Sequence, residues 1–85
     1  MFELYFDGDN SRKLGEFKTY EDAYSSMAKF ITEHKNFKWY YTRITFIDKD
    51  NTIWFDVGSH TEFFYIVCDS KEKYKEVIAK LQVKK

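Results

Sequence analysis

Asp56, His60 and Glu62 are the residue types that bind a metal or serve as a general base, and they lie within seven residues of one another. A metal site needs three or four such groups converging from fixed positions, with hydrogen-bonded residues behind them. Three residues strung around the Gly58-Ser59-His60 reversal do not meet that demand and read as solvated turn residues. Asp7-Gly8-Asp9-Asn10-Ser11 and Asp48-Lys49-Asp50 look like the start of a calcium loop. Such a loop needs glycine at its sixth position and glutamate at its twelfth. Those positions hold Arg12 and Lys18 in the first case and Ile53 and Ser59 in the second, so both segments read as hairpin turns.

Cys68 is the single cysteine, which excludes an intrachain disulfide framework. It stands in an apolar run and reads as a small buried hydrophobe; Asp69 and a following helix start are the only activating features near it. His34 falls beside the apolar stripe of a helix, near its C-terminus, where packing and the helix dipole account for it. There is no G-x-S-x-G elbow, no phosphate-binding glycine loop and no G-x-G-x-x-G. The expectation is a non-enzymatic protein without metal or cofactor.

The remaining chemistry is aromatic. Ten of the eighteen aromatic residues fall between Phe37 and Cys68, in the runs Trp39-Tyr40-Tyr41, Trp54-Phe55 and Phe63-Phe64-Tyr65. Successive strand residues point to opposite faces, so such runs must put rings on both sides of a sheet. With Tyr40, Thr42, Ile44, Phe46, Ile53, Phe55, Val57, Phe64, Ile66 and Cys68 facing inward, Trp39, Tyr41, Arg43, Trp54, Phe63 and Tyr65 face outward. Thr45, Thr52, Asp56 and Val67 join them, and Tyr5 does so from the first strand. Trp, Tyr and Arg are the residues enriched at interface hot spots, so Tyr5, Trp39, Tyr41, Arg43, Trp54, Phe63 and Tyr65 form a candidate partner-binding surface. A register slip of one residue would exchange the two faces.

The elements that position these residues follow from periodicity. Residues 2–6 alternate as a half-buried strand, and Lys13 to Lys18 make a short return strand interrupted by Gly15. Thr19 is an N-cap, with Glu21 and Asp22 in the first turn and Tyr20, Ala23, Tyr24, Met27 and Ile31 in an apolar stripe ending near Lys35. Strands are expected over roughly 38–48, 51–58 and 61–68, the first two joined by an Asp48-Lys49-Asp50-Asn51 turn. Asp69 or Ser70 caps a last helix; Asp69 and Glu72 have capping-box spacing. Its stripe is Tyr74, Val77, Ile78 and Leu81. The expected fold is α+β: one antiparallel sheet of four to five strands with two helices on one face, in the order β-(β)-α-β-β-β-α.

At 85 residues, 44% apolar and 33% charged, the chain is expected to be a single domain, residues 1–85, without linker or repeat. No run approaches a membrane span and no signal peptide leads the chain, so the expected location is cytoplasmic. Net charge is zero, but residues 1–69 carry an excess of four acids and residues 70–85 an excess of four bases. That balance disfavours a dedicated nucleic-acid binder. The lysines of the last segment keep an alternative open: bases stacked on the aromatic face, assisted by Lys71, Lys73, Lys75 and Lys80.

The α-β-β-β-α order from Thr19 onward is similar to that of the double-stranded RNA-binding domain, and Ser70-Lys71-Glu72-Lys73 resembles its helix-start lysines. The turn motif of that family is missing ahead of the first strand of the meander. The open aromatic face resembles an RNA-recognition motif without its glycine-aromatic signature. In overall style the chain resembles small accessory proteins of Gram-positive phages and prophages, a group that includes anti-CRISPR and other anti-defence proteins. It is short, rich in Tyr, Phe and Ile, and has twelve lysines to two arginines. The resemblance implies stoichiometric inhibition of a host protein or protein complex in the bacterial cytoplasm. A structural homodimer, its sheets burying each other, is a third expectation.

Overall fold

The computed structural model describes residues 1–8, 11–33, 41–58 and 62–82. Trp39, Tyr40, His34 and His60 fall outside the described residues. The chain runs β1 (Phe2–Asp7), β2 (Ser11–Phe17), α1 (Tyr20–Glu33), β3 (Arg43–Ile47), β4 (Thr52–Asp56), β5 (Phe63–Cys68) and α2 (Lys71–Gln82). The strands form one antiparallel sheet in the order β2-β1-β5-β4-β3. This is the expected α+β architecture, with all five strands present.

Local sequence explains each element. Thr19 caps α1, its Oγ1 accepting the Asp22 N–H at 3.0 Å, and Glu21 and Asp22 complement the dipole in the first turn. The cap of α2 is Ser70, whose Oγ accepts the Lys73 N–H at 3.2 Å. Asp69 does not cap: its carboxylate meets the amino group of Met1 and, at 3.5 Å, the Lys73 ammonium. The β3–β4 connection is a single 3-10 turn over Asp48–Asp50, closed by Asn51 in the left-handed region at φ 51°. Asparagine is among the few non-glycine residues that tolerate this conformation.

In β2 the pairing with β1 slips between Leu4 and Tyr5, where Leu14 and Gly15 together oppose Leu4. This bulge turns Leu14 onto the helix side beside Gly15, which reconciles Leu14 and Phe17 facing the core at odd spacing. Gly15 lies so close under the Phe17 ring that a Cβ there would come within 2.9 Å of it.

Both helices cover the same face. Phe2 and Leu4 of β1, Ile53 and Phe55 of β4 and Phe64, Ile66 and Cys68 of β5 form one core with Tyr20, Ala23, Met27 and Ile31 of α1 and Tyr74 and Val77 of α2. Among the described residues the inward set is the one expected from parity, except that Thr42, expected to face inward, precedes β3 and is exposed. Ile44 and Phe46 extend it at the β3 edge, half-buried. Thr52 departs from expectation: it lies on the outward side yet is only 6% exposed. It sits between Ile47 and Val67 in the register, and its hydroxyl is satisfied by donating to the Asp50 carbonyl at 2.9 Å.

Gly58 follows β4 at φ 97°, with its N–H donated to the Asp56 carboxylate at 3.0 Å. A side chain is strained in this region. Gly58→Ala is expected to cost about 1–3 kcal/mol, read as a drop in thermal midpoint. An unchanged midpoint would show that the turn relaxes without it.

Candidate interaction surface

The face turned away from the helices is organised as three rows across the strands. The middle row runs Lys13, Tyr5, Tyr65, Trp54, Thr45 from β2 to β3. Its rings form a ladder. Tyr5 and Tyr65 stack with centroids 4.9 Å apart and planes within 9°, and Tyr65 and Trp54 stack at 5.4 Å and 5°. These separations follow from the strand spacing, because each ring stands on an adjacent strand at the same level. Phe63 leans on Trp54 at 5.4 Å. At the β3 end the Arg43 guanidinium lies 5.7 Å over the ring of Tyr41, which is 50% exposed.

Polar atoms brace the ladder. Tyr65 OH and Ser11 Oγ share a hydrogen bond at 2.9 Å, and Tyr5 OH donates to Glu3 at 3.1 Å. Partial burial and then the Glu3 carboxylate push the Tyr5 hydroxyl above its ordinary pKa. Carboxylates flank the rings on both sides. One flanking row holds Ser11, Asp7, Phe63, Asp56 and Arg43, and the other Glu16, Glu3, Val67, Thr52 and Ile47. Lys13 pairs with Glu3 at 3.4 Å and with Glu16. Four carboxylates against Lys13 and Arg43 leave this face acidic.

The structure thus brings together six of the seven expected partner-binding residues: Tyr5, Tyr41, Arg43, Trp54, Phe63 and Tyr65. Trp39, the seventh, is outside the described residues. What sequence reasoning missed is the acidic flank, legible only once cross-strand neighbours are known. Lys71, Lys73, Lys75 and Lys80 do not join this surface, because α2 packs on the opposite side of the sheet. Lys71 donates to the Asp48 carbonyl at 2.6 Å, Lys73 pairs with Asp69, and Lys80 pairs with Glu21 at 2.8 Å. Lys73 and Lys80 line a cleft that also holds Glu21 and Glu76, so their charge is answered locally.

Of the residues weighed for metal or general-base chemistry, Asp56 caps the Gly58 turn and Glu62 is half-buried just before β5. Among the described residues no group of three His, Cys, Asp or Glu side chains gathers. Cys68 is 3% exposed, and burial, then the neighbouring Asp69, push its thiol up to about 11. A thiol held protonated is a poor nucleophile at neutral pH. Among the described residues no helix is long and apolar enough to cross a membrane. No protein-family model, no curated protein and no solved structure matches the chain.

Proposed function

We propose that this protein is a non-enzymatic binding module that captures a protein partner through the outward aromatic face. The observation that carries this reading is the ring ladder Tyr5–Tyr65–Trp54, with two carboxylates in each of the rows that flank it. Pre-stacked rings offer large apolar area while losing little side-chain freedom on binding. The acidic flank selects a partner surface that presents apolar groups beside Lys or Arg. It also repels a phosphate backbone, and the α2 lysines lie on the far side of the sheet. That geometry favours a protein partner over the nucleic-acid alternative. The narrower form of the proposal, a phage-encoded inhibitor acting on a host defence protein, rests on compositional resemblance, and a host in which the gene suppresses a defence system is its test.

The test of the broader reading compares wild type, Trp54→Ala and Lys75→Ala in affinity capture from a bacterial lysate, with circular dichroism on each. Trp54→Ala is expected to keep the fold at a cost of roughly 1–2 kcal/mol, from lost cross-strand stacking, and to lose its partner. Lys75→Ala, on the helix side, is expected to retain the partner. Unfolding of Trp54→Ala would make the face part of the core. A partner held equally by both variants would also sink the proposal, and salt-sensitive retention on single-stranded DNA would replace it with the nucleic-acid reading.

A further inference from the structure

The two edges of the sheet are built differently. β2 carries a bulge and the charged residues Arg12, Lys13 and Glu16, the devices by which a sheet edge is kept from pairing with another chain. β3 is short and carries a single charged residue, Arg43 at its start, with no bulge, proline or lysine in the rest of the strand. Its five residues, Arg-Ile-Thr-Phe-Ile, pair with β4 in unbroken register, and among the described residues its other side has no strand partner. Ile44, Phe46 and Ile47 are only half-buried there.

We propose that β3 pairs antiparallel with β3 of a second copy of this chain, joining the two sheets edge to edge about a two-fold axis. Directly opposed residues in an antiparallel pair face the same side, so a two-fold pairing must match inward residues with inward ones. Centring the axis on Thr45 satisfies this over all of β3. Thr45 meets the partner's Thr45, Ile44 meets the partner's Phe46, and Arg43 meets the partner's Ile47. The inward pairs close one apolar seam from four half-buried side chains. On the outward side threonine faces threonine, a favourable cross-strand pair. Arg43 also comes beside the turn that carries the partner's Asp48 and the partner's Asp50, so charge is complementary at both ends of the seam. A second copy fits because β3 complements itself in this register. This pairing differs from a dimer in which the two sheets bury each other, and it does not depend on the partner-binding reading.

Five-residue pairing buries less than a standard interface, so the expected dimer is weak and is sought by sedimentation of the full chain at up to about 0.5 mM. Thr45→Lys places two ammonium groups opposite each other on the axis and is expected to weaken the dimer about fivefold or more while leaving the exposed site's fold unchanged. Under copper-phenanthroline oxidation, a mixture of Arg43→Cys and Ile47→Cys chains is expected to form the mixed disulfide dimer in preference to either self-linked dimer. Opposed Cα atoms at about 4.5–5.5 Å permit that bond, whereas stacked sheets, about 10 Å apart, do not. A chain monomeric at the highest concentration overturns the proposal, as does a dimer indifferent to Thr45→Lys. Absence of the mixed disulfide in an observed dimer would move the interface elsewhere.

Discussion

Phe64→Ala is expected to remove a large share of the stability of this domain, whereas Tyr65→Ala, one residue further along the same strand, is expected to leave it folded. Phe64 is fully buried near the start of β5, the middle strand of the sheet, and its ring meets Phe6 at 5.2 Å and Phe30 of α1 edge-on at 5.6 Å. Truncation there removes the ring's transfer free energy and leaves a cavity bounded by sheet and helix, at a cost of about 3–5 kcal/mol. A chain of this length is expected to have a total stability of roughly 4–13 kcal/mol, so the loss is a large share of the whole. Tyr65 faces the other way, stacked between Tyr5 and Trp54, and its loss is a cross-strand effect of about 1–2 kcal/mol. Urea denaturation followed by circular dichroism measures both. Equal costs at the two positions would show that the outward face is as much core as the inward one.

Raising the pH above 9 is expected to destabilise the fold progressively, through three buried acids that ionise more easily in the unfolded chain. Cys68 is pushed up to about 11 by burial and then by Asp69. Burial also raises the Tyr20 hydroxyl, helped by Tyr24 and Glu21. Burial raises that of Tyr74 too, helped by Asp48, whose Oδ1 accepts its O–H at 2.6 Å. A group whose folded pKa lies above its unfolded value contributes fully below the unfolded value and loses that contribution as pH rises towards the folded one. The loss therefore begins near pH 9 with the thiol and steepens from about pH 10 with the two tyrosines, each group adding up to about 1.4 kcal/mol per pH unit. Denaturant midpoints measured from pH 7 to pH 11 test this. Cys68→Ala is expected to delay the onset and Tyr74→Phe to flatten the later slope. A profile level to pH 11 would contradict the burial of all three.

Much of the fold was legible because ring doublets leave a strand little choice. Trp54-Phe55 and Phe64-Tyr65 must divide between the two faces, and the alternation of Ile53, Val57, Ile66 and Cys68 decides which ring goes inward. Strand order was not legible. Nothing local marks β1 as the partner of β5, and the acidic flank around the rings depends on that pairing. Capping was ambiguous for a related reason. Asp69 and Ser70 both suit the start of α2, and the choice falls to Ser70 because Asp69 is drawn to cations brought by β1 and α2. The α2 lysines, weighed as assisting bases stacked on the rings, lie across the sheet from them because Tyr74 and Val77 anchor α2 to the inward face. The burial of Thr52 arises from Ile47 and Val67, which reach it across strands rather than along the chain.

The position of β1 has a consequence for the order in which the molecule can be made. It pairs Phe2 with Cys68 and Asp7 with Phe63, so the seam between the first hairpin and the β3–β4–β5 meander joins distant parts of the chain. During synthesis the β1–β2 hairpin and α1 can form early, but their apolar face has no complete sheet to rest on until β5 has emerged. Closing that seam costs loop entropy before any contact rewards it. The centre of the sheet therefore cannot close until β5 has emerged, and until then the nascent chain carries its future core exposed.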